Sequence, residues 1–317
     1  LDCEFANSEL RACGGVGMAV GLGCFNLRIF GNTFEGLEQG AISVSGTSDL
    51  KNGKLIQITR ETLIDHNVFS ECGLGGGITL AVGGAIHTRI SHNYFTKSGR
   101  PYTINCGGGG LEGNVNGDCM VEYNHFEDVQ HDADDAGVIV VNGMTFNSVV
   151  RHNLIHGVHR GFFSDNVAFW FDNMSSHWTV TNNIYYDLEQ GEMKTCGTYL
   201  IDNDYAANFA IEPPQRAPER FIEGAPELNC TNLRMTLGGK PIAGEIATGS
   251  IIKVRADVAN TGSSGAGPIA LYVDRRAVET KAFPVIRQNT RPVEFELRLN
   301  DPGRHAEAIG RIGKRQI

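Results

Sequence analysis

One recurring motif constrains what this chain can fold into more than any other feature. It is an aliphatic residue, two variable residues, Asn, one variable residue, and then Phe or another large apolar residue. It runs from Ile29 to Phe34 around Asn32, from Ile64 to Phe69 around Asn67, and from Ile90 to Phe95 around Asn93. It returns from Val121 to Phe126 around Asn124, from Val150 to Ile155 around Asn153, and from Val180 to Tyr185 around Asn183. A last copy reads Leu200 to Tyr205 around Asn203, and a faint first one spans Leu1 to Phe5. The Asn positions step by 35, 26, 31, 29, 30 and 20 residues.

A period of this size with uneven steps points to a solenoid whose coils carry loops of different length. In a β-solenoid successive turns stack at about 4.8 Å, the spacing of hydrogen-bonded strands. Equivalent residues then form ladders, and an inward Asn can satisfy both its own backbone and its stacked neighbour. Other short strands fall inside the period, at Gly77–Val82, Gly137–Val141 and Val167–Phe171. A propeller would need four strands per blade. A leucine-rich repeat would carry Leu where this chain carries Asn and Phe. The pattern therefore predicts an all-β chain with a right-handed parallel β-helix over residues 1–228.

The repeat fades after Asn203, and Pro213, Pro214, Pro218 and Pro226 mark a connector. Beyond it, Ile251–Val258, Ile269–Val273 and Val293–Leu299 alternate with period two between Gly, Asn and Pro turns. Residues 229–317 are expected to form a small immunoglobulin-like β-sandwich. It resembles the adhesion-type modules, with a V-x-N-T-G turn, that are often appended to secreted bacterial enzymes. A spacer role is expected for it, and a secreted, periplasmic or cell-surface location for the whole.

Charge narrows the partners. Lys and Arg number 27 against 36 Asp and Glu, a formal charge of -9, with no basic run. Nucleic acid is not an expected partner, because phosphate contacts need clustered cations. No run of 18 apolar residues suggests a membrane span. Leu1 leads directly into structured sequence, which reads as a mature or truncated chain. The eight Cys contain no CxxC pair, so a zinc ribbon is not expected. They read as small buried thiols inside the solenoid, with disulfides as the alternative.

Two stretches concentrate chemistry. The first runs from His131 to Gly137 and holds Asp132, Asp134 and Asp135. Three carboxylates in four residues are costly unless they face solvent, a cation or a substrate. The second runs from Trp170 to Trp178 and holds Asp172, Asn173 and His177. A carboxylate between two indoles suits a sugar subsite, since aromatic faces pack on sugar rings. Trp178 is the better candidate for an exposed platform, because Trp170 lies between Phe169 and Phe171. Counting back equal distances from Asn153 and Asn183 stacks Asp172 near Asn142 and Asp165 near Asp135. His66, His92 and His152, each preceding a ladder Asn, read as external rung residues.

The run from about Gly108 to Gly191 resembles right-handed β-helix enzymes similar to glycoside hydrolase family 141. Their Asp-Asp-Ala-Gly stretch corresponds to Asp134–Gly137 here, after the coil from Tyr123 to Val129. Their Leu-Asp-Asp stretch corresponds to Phe171, Asp172 and Asn173, before the coil from Thr179 to Asn183. Two departures stand out. Asn142–Thr145 occupies the place of a Gly-Arg-Asp-Trp stretch, and Asn173 replaces the second Asp.

The resemblance implies a glycoside hydrolase that acts on a polysaccharide or oligosaccharide with two carboxylates. Asp172 and Asp135 are the catalytic candidates. Asp134, His131, Asn142, Asn173, His177, Trp178 and Glu192 are the substrate-binding candidates. No cofactor is expected. A straight strand between Asp135 and Asn142 would span about 17 Å, beyond the roughly 5–9.5 Å of paired carboxylates. In that case Glu189, Glu192 or Asp134 becomes the second acid. Two other readings stay open. One is a Ca²⁺-dependent polysaccharide lyase, with Asp132, Asp134 and Asp135 on the ion and Lys97, Arg100 or Arg160 as base. The other is a carbohydrate-binding solenoid without activity.

Overall fold

A computed structural model describes residues 2–46, 58–99, 101–107, 116–131, 133–161, 166–197, 200–214, 228–242, 247, 249–261, 265–273, 276–285 and 288–298. Asp132, Asp165 and Arg100 lie outside them. Among the described residues all regular structure is strand, and no helix is long and apolar enough to cross a membrane. The chain divides into two compact units, with the break after Pro213.

The first unit is a parallel β-helix. Three sheets of eight, eight and seven strands run its length, and each takes every third strand of the sequence. All pairings within them are parallel. Thr59–Asp65 pairs with Ala85–Ser91 in the first sheet, and Tyr94–Thr96 with His125–Val129 in the second. Ala136–Val141 pairs with Asn166–Phe171 in the third.

The ladder explains why the coils lock in register. Asn93 donates its side-chain amide to the Ile64 carbonyl at 2.9 Å and to Asn124 Oδ1 at 3.0 Å. Its backbone N–H donates to the same Asn124 Oδ1 at 3.0 Å. Each buried Asn oxygen thus takes two donors from the coil before, so the buried amides of the ladder are paired. The chain of bonds runs through Asn32, Asn67, Asn93, Asn124, Asn153 and Asn183. It ends on Asn208, not on Asn203. Tyr205, expected at the aromatic position, pairs with Val180 at the aliphatic one. The first coil is shifted likewise: Phe5 pairs with the aliphatic Ile29, and Ser8 donates its N–H to Asn32.

Inside, Phe34, Phe69, Phe95 and Phe126 stack face to face with centroids 5.1, 4.6 and 4.8 Å apart. The coil turns at left-handed residues set five apart: one before each ladder Asn, another four after it, and a third six before it. Non-Gly residues there cost on the order of 1 kcal/mol, least for Asn, Asp and His. The column six before the ladder accordingly reads Asn26, Glu61, His87, Asp118, Asn147, His177 and Asp202. In the column just before the ladder, His66, His92, Tyr123 and His152 stack outside at 5.0–5.3 Å. All eight cysteines are free, with Cys72, Cys106 and Cys119 buried in the core.

The second unit is antiparallel. Lys240–Pro241, Leu228–Leu237, Ile251–Asn260 and Thr290–Arg298 form one sheet, and Gly265–Val273 pairs with Arg276–Val285 as a hairpin. Ile252, Val254, Val258 and Phe295 from the sheet share an apolar core with Ile269 and Leu271.

Candidate functional site

The outer face of the third sheet changes character where the acidic stretches fall. Val140 pairs with Trp170, and Trp170 with Lys194, so these three stack outward on successive coils. Tyr102 packs against Val140, Val167 and Trp170, its ring edge-on to the indole at 6.1 Å. The Lys194 ammonium sits 4.3 Å from the Trp170 ring centroid and pairs with Asp135 at 2.9 Å. A cation over an indole face is attracted by the ring quadrupole.

Asp135 occupies a left-handed bend (φ 54°) just before its strand, with its side chain well exposed. That bend and the Lys194 bridge bring its carboxylate over the strand that carries Trp170. Asp172 follows Phe171, which pairs with Val141, so Asp172 and Asn142 leave neighbouring coils at the same level. Asn173 donates to Asp172 Oδ1 at 3.0 Å. Burial, and then the charges of Asp172 and Asp135, push the Tyr102 hydroxyl above its usual range. Two acids far apart in sequence therefore act on one half-buried phenol.

Two glycines make room for the amides. A Cβ on Gly107 would lie 2.0 Å from Asn142 Oδ1, and one on Gly197 2.2 Å from Asn173 Oδ1. Among the described residues, Asn142 Oδ1 is buried without a hydrogen-bond donor, as is the indole N–H of Trp170 without an acceptor. Such orphans are uncommon in a folded interior. Beside Lys194 the surface dips into an open depression of about 480 Å³, which Arg160, Val167 and Glu189 also line.

The other candidates are dispersed. Trp178, expected as an exposed platform, is 1% exposed and belongs to the solenoid core. Burial alternates along this strand, so His177 points out and Trp178 points in. His177 lies in the first sheet, faces solvent and meets Asp202 at 3.8 Å. Its place is a backbone requirement shared with its column. Glu192 follows the register of the core residue Ala168, and its charge acts on the Tyr185 and Tyr205 hydroxyls. It is not beside Asp172. Asp134 is half-buried next to Asp135.

His131 belongs to a separate cluster at the corner between the second and third sheets. Its Nε2 lies 3.0 Å from Asp128 Oδ1, and His159 Nε2 lies 2.7 Å from the same oxygen. Burial works to raise the Asp128 pKa, but the two imidazoles outweigh it and hold the carboxyl below its usual range. Of the bases considered for a lyase, Lys97 pairs with Glu71 at 3.2 Å, away from the third sheet. Tyr102 and Lys194 were not among the sequence candidates. Their signal was the register: Lys194 falls one coil beyond Trp170. No protein-family model matches the chain, and no curated protein matches it.

Proposed function

We propose that the first unit is a right-handed, carbohydrate-active β-helix. In this reading it hydrolyses glycosidic bonds with Asp172 and Asp135, in a trough across the outer face of its third sheet. Right-handedness is the rule for parallel strands joined by crossovers. The observation that carries the catalytic reading is Lys194, whose ammonium lies 4.3 Å from the centre of the Trp170 ring and holds Asp135 at 2.9 Å, beside the strand that leads into Asp172. One carboxyl delivers a proton to the leaving glycosidic oxygen. The other attacks the anomeric carbon or activates a water against it. Asn142, Asn173 and Lys194 then offer hydrogen bonds to sugar hydroxyls, and Tyr102 offers a ring face. The second unit, in this reading, is an immunoglobulin-like spacer on a secreted, periplasmic or cell-surface protein.

The test is reducing-end release from a panel of polysaccharides and oligosaccharides by wild type, Asp172→Asn and Asp135→Asn. Each substitution is expected to lower the rate by about 100-fold or more. A wild-type rate in either variant removes that residue from the mechanism. Glycan binding without any bond cleavage by wild type would make the solenoid a binding module.

A lyase is the second reading, favoured by the Lys194 ammonium beside Asp135. Elimination needs a base next to the acidic sugar carbon and leaves an unsaturated product. Absorbance near the ultraviolet edge, lost on adding EDTA if Ca²⁺ takes part, would identify it.

A further inference from the structure

The Asp128 corner has the ligand set of a transition-metal site. We propose that Asp128, His131 and His159 bind one divalent cation of the zinc class, with Glu189 orienting His159. The three ligand atoms converge within 4.8 Å of one another. Both imidazole Nε2 atoms face the single oxygen Asp128 Oδ1, at 3.0 and 2.7 Å. Ligands around a tetrahedral Zn²⁺, bound at about 2.0–2.1 Å, sit about 3.3 Å apart. Small rotations of the side chains open that gap. Two imidazoles and one carboxylate suit Zn²⁺, Fe²⁺ or Ni²⁺, whereas Ca²⁺ prefers an all-oxygen shell.

An independent feature points the same way. The far nitrogen of His159, Nδ1, lies 3.4 Å from Glu189 Oε1. The other Glu189 oxygen accepts the Arg160 backbone N–H at 2.8 Å, which fixes the carboxylate. Metal-bound histidines commonly carry such a carboxylate on the nitrogen that faces away from the ion. The His131 and His159 rings lie 4.1 Å apart, a close approach that a shared ion would hold. Between 34% and 44% of each ligand side chain is exposed, so an ion can reach the corner and keep a water.

Among the described residues, two other groups have metal-like composition. His125, Glu127 and His156 are largely buried, with the two imidazole Nε2 atoms already bonded to each other at 2.8 Å. Asp65 beside His66 and His92 already accepts the Ser91 hydroxyl.

The experiment is calorimetric titration of the full chain with Zn²⁺, and with Co²⁺ followed by visible absorbance. Wild type is expected to bind one equivalent at micromolar or tighter affinity, with a raised melting temperature. His159→Ala and His131→Ala should each weaken binding by about 100-fold or more. Glu189→Gln should weaken it by about 10-fold. The His131, His159 and Glu189 side chains are each at least a third exposed, and an unchanged circular dichroism spectrum confirms that every variant folds. Wild-type binding weaker than millimolar overturns the proposal. So does binding that survives His131→Ala and His159→Ala but is lost in His92→Ala or His156→Ala.

Discussion

The outer face of the third sheet differs between its two halves. One continuous column reads Ala19, Ser43 and Ala81 on the early coils, then Asn105, Val140, Trp170 and Lys194 on the later ones. The early residues are small and partly or fully exposed. From Asn105 to Trp170 the column is at most 5% exposed, although it faces away from the core. The same backbone ladder supports both halves, so the solenoid itself does not require the large side chains. They mark the place where the surface is built up, and the candidate acids stand at its borders.

The two tryptophans put that contrast to its strongest test. Trp178 fills an inward column that holds Ser148 one coil earlier. Trp178→Ala removes a core indole, and a cost of about 3–5 kcal/mol is expected. Trp170→Ala should cost less, because Lys194 and Tyr102 can settle over the gap, yet it should impair carbohydrate cleavage more. The chain has only these two Trp. Urea unfolding followed by the remaining fluorescence therefore reports the solenoid in each variant. Equal costs would erase the distinction between core and built surface.

A loss of similar size is expected within the ladder. Asn124→Ala strands the Asn93 N–H and the Ile90 carbonyl inside the solenoid. At about 1–3 kcal/mol for each buried orphan, the cost is about 2–6 kcal/mol. Asn208→Ala, on the partly solvated last coil, should cost about 1 kcal/mol, since water can replace its bonds. Similar values for the two would mean that the ladder does not depend on burial.

The ladder was legible in the sequence because its chemistry repeats in one residue type at one place per coil. The last coil was misread for a physical reason. Asn203 also follows a left-handed residue, accepts from Trp178 N–H and donates to the Ser175 carbonyl. It imitates a ladder Asn one bend too early. Adjacent residues of a strand point to opposite faces, so His177 and Trp178, neighbours in sequence, do not share one surface. Asn142 and Asp172 leave neighbouring coils at one level, as equal counting from the ladder predicts, because strand register alone sets that placement. Tyr102 and Lys194 escaped because neither lies in an acidic stretch.

Acid separates the buried and exposed histidines. Burial, with the neighbouring His125, pushes the His156 pKa down from 6.5 to about 3. The folded state thus favours the neutral ring more than the unfolded chain does. Stability from this site is full above pH 6.5 and declines as pH falls toward 3, by at most about 1.4 kcal/mol per pH unit. Asp65, held at about 2 against 3.8, adds a second loss only below about pH 4. Melting temperatures between pH 7 and 4.5 should fall less steeply in His156→Phe than in wild type. Parallel curves would show that His156 does not carry the acid response.

The least effect on stability is expected at Lys194. Its partner Asp135 is well exposed, and ion pairs of that kind contribute less than about 1 kcal/mol. Lys194→Met keeps an apolar stem over Trp170 while deleting the ammonium that joins Asp135 to the indole. Unfolding free energy should therefore shift by less than about 1 kcal/mol, while cleavage of the preferred glycan falls at least tenfold. The exposed ion pair is then there for what it positions and not for what it stabilises. A variant as active as wild type would show that Asp135 needs no tether, and that the built half of the column ends at Trp170.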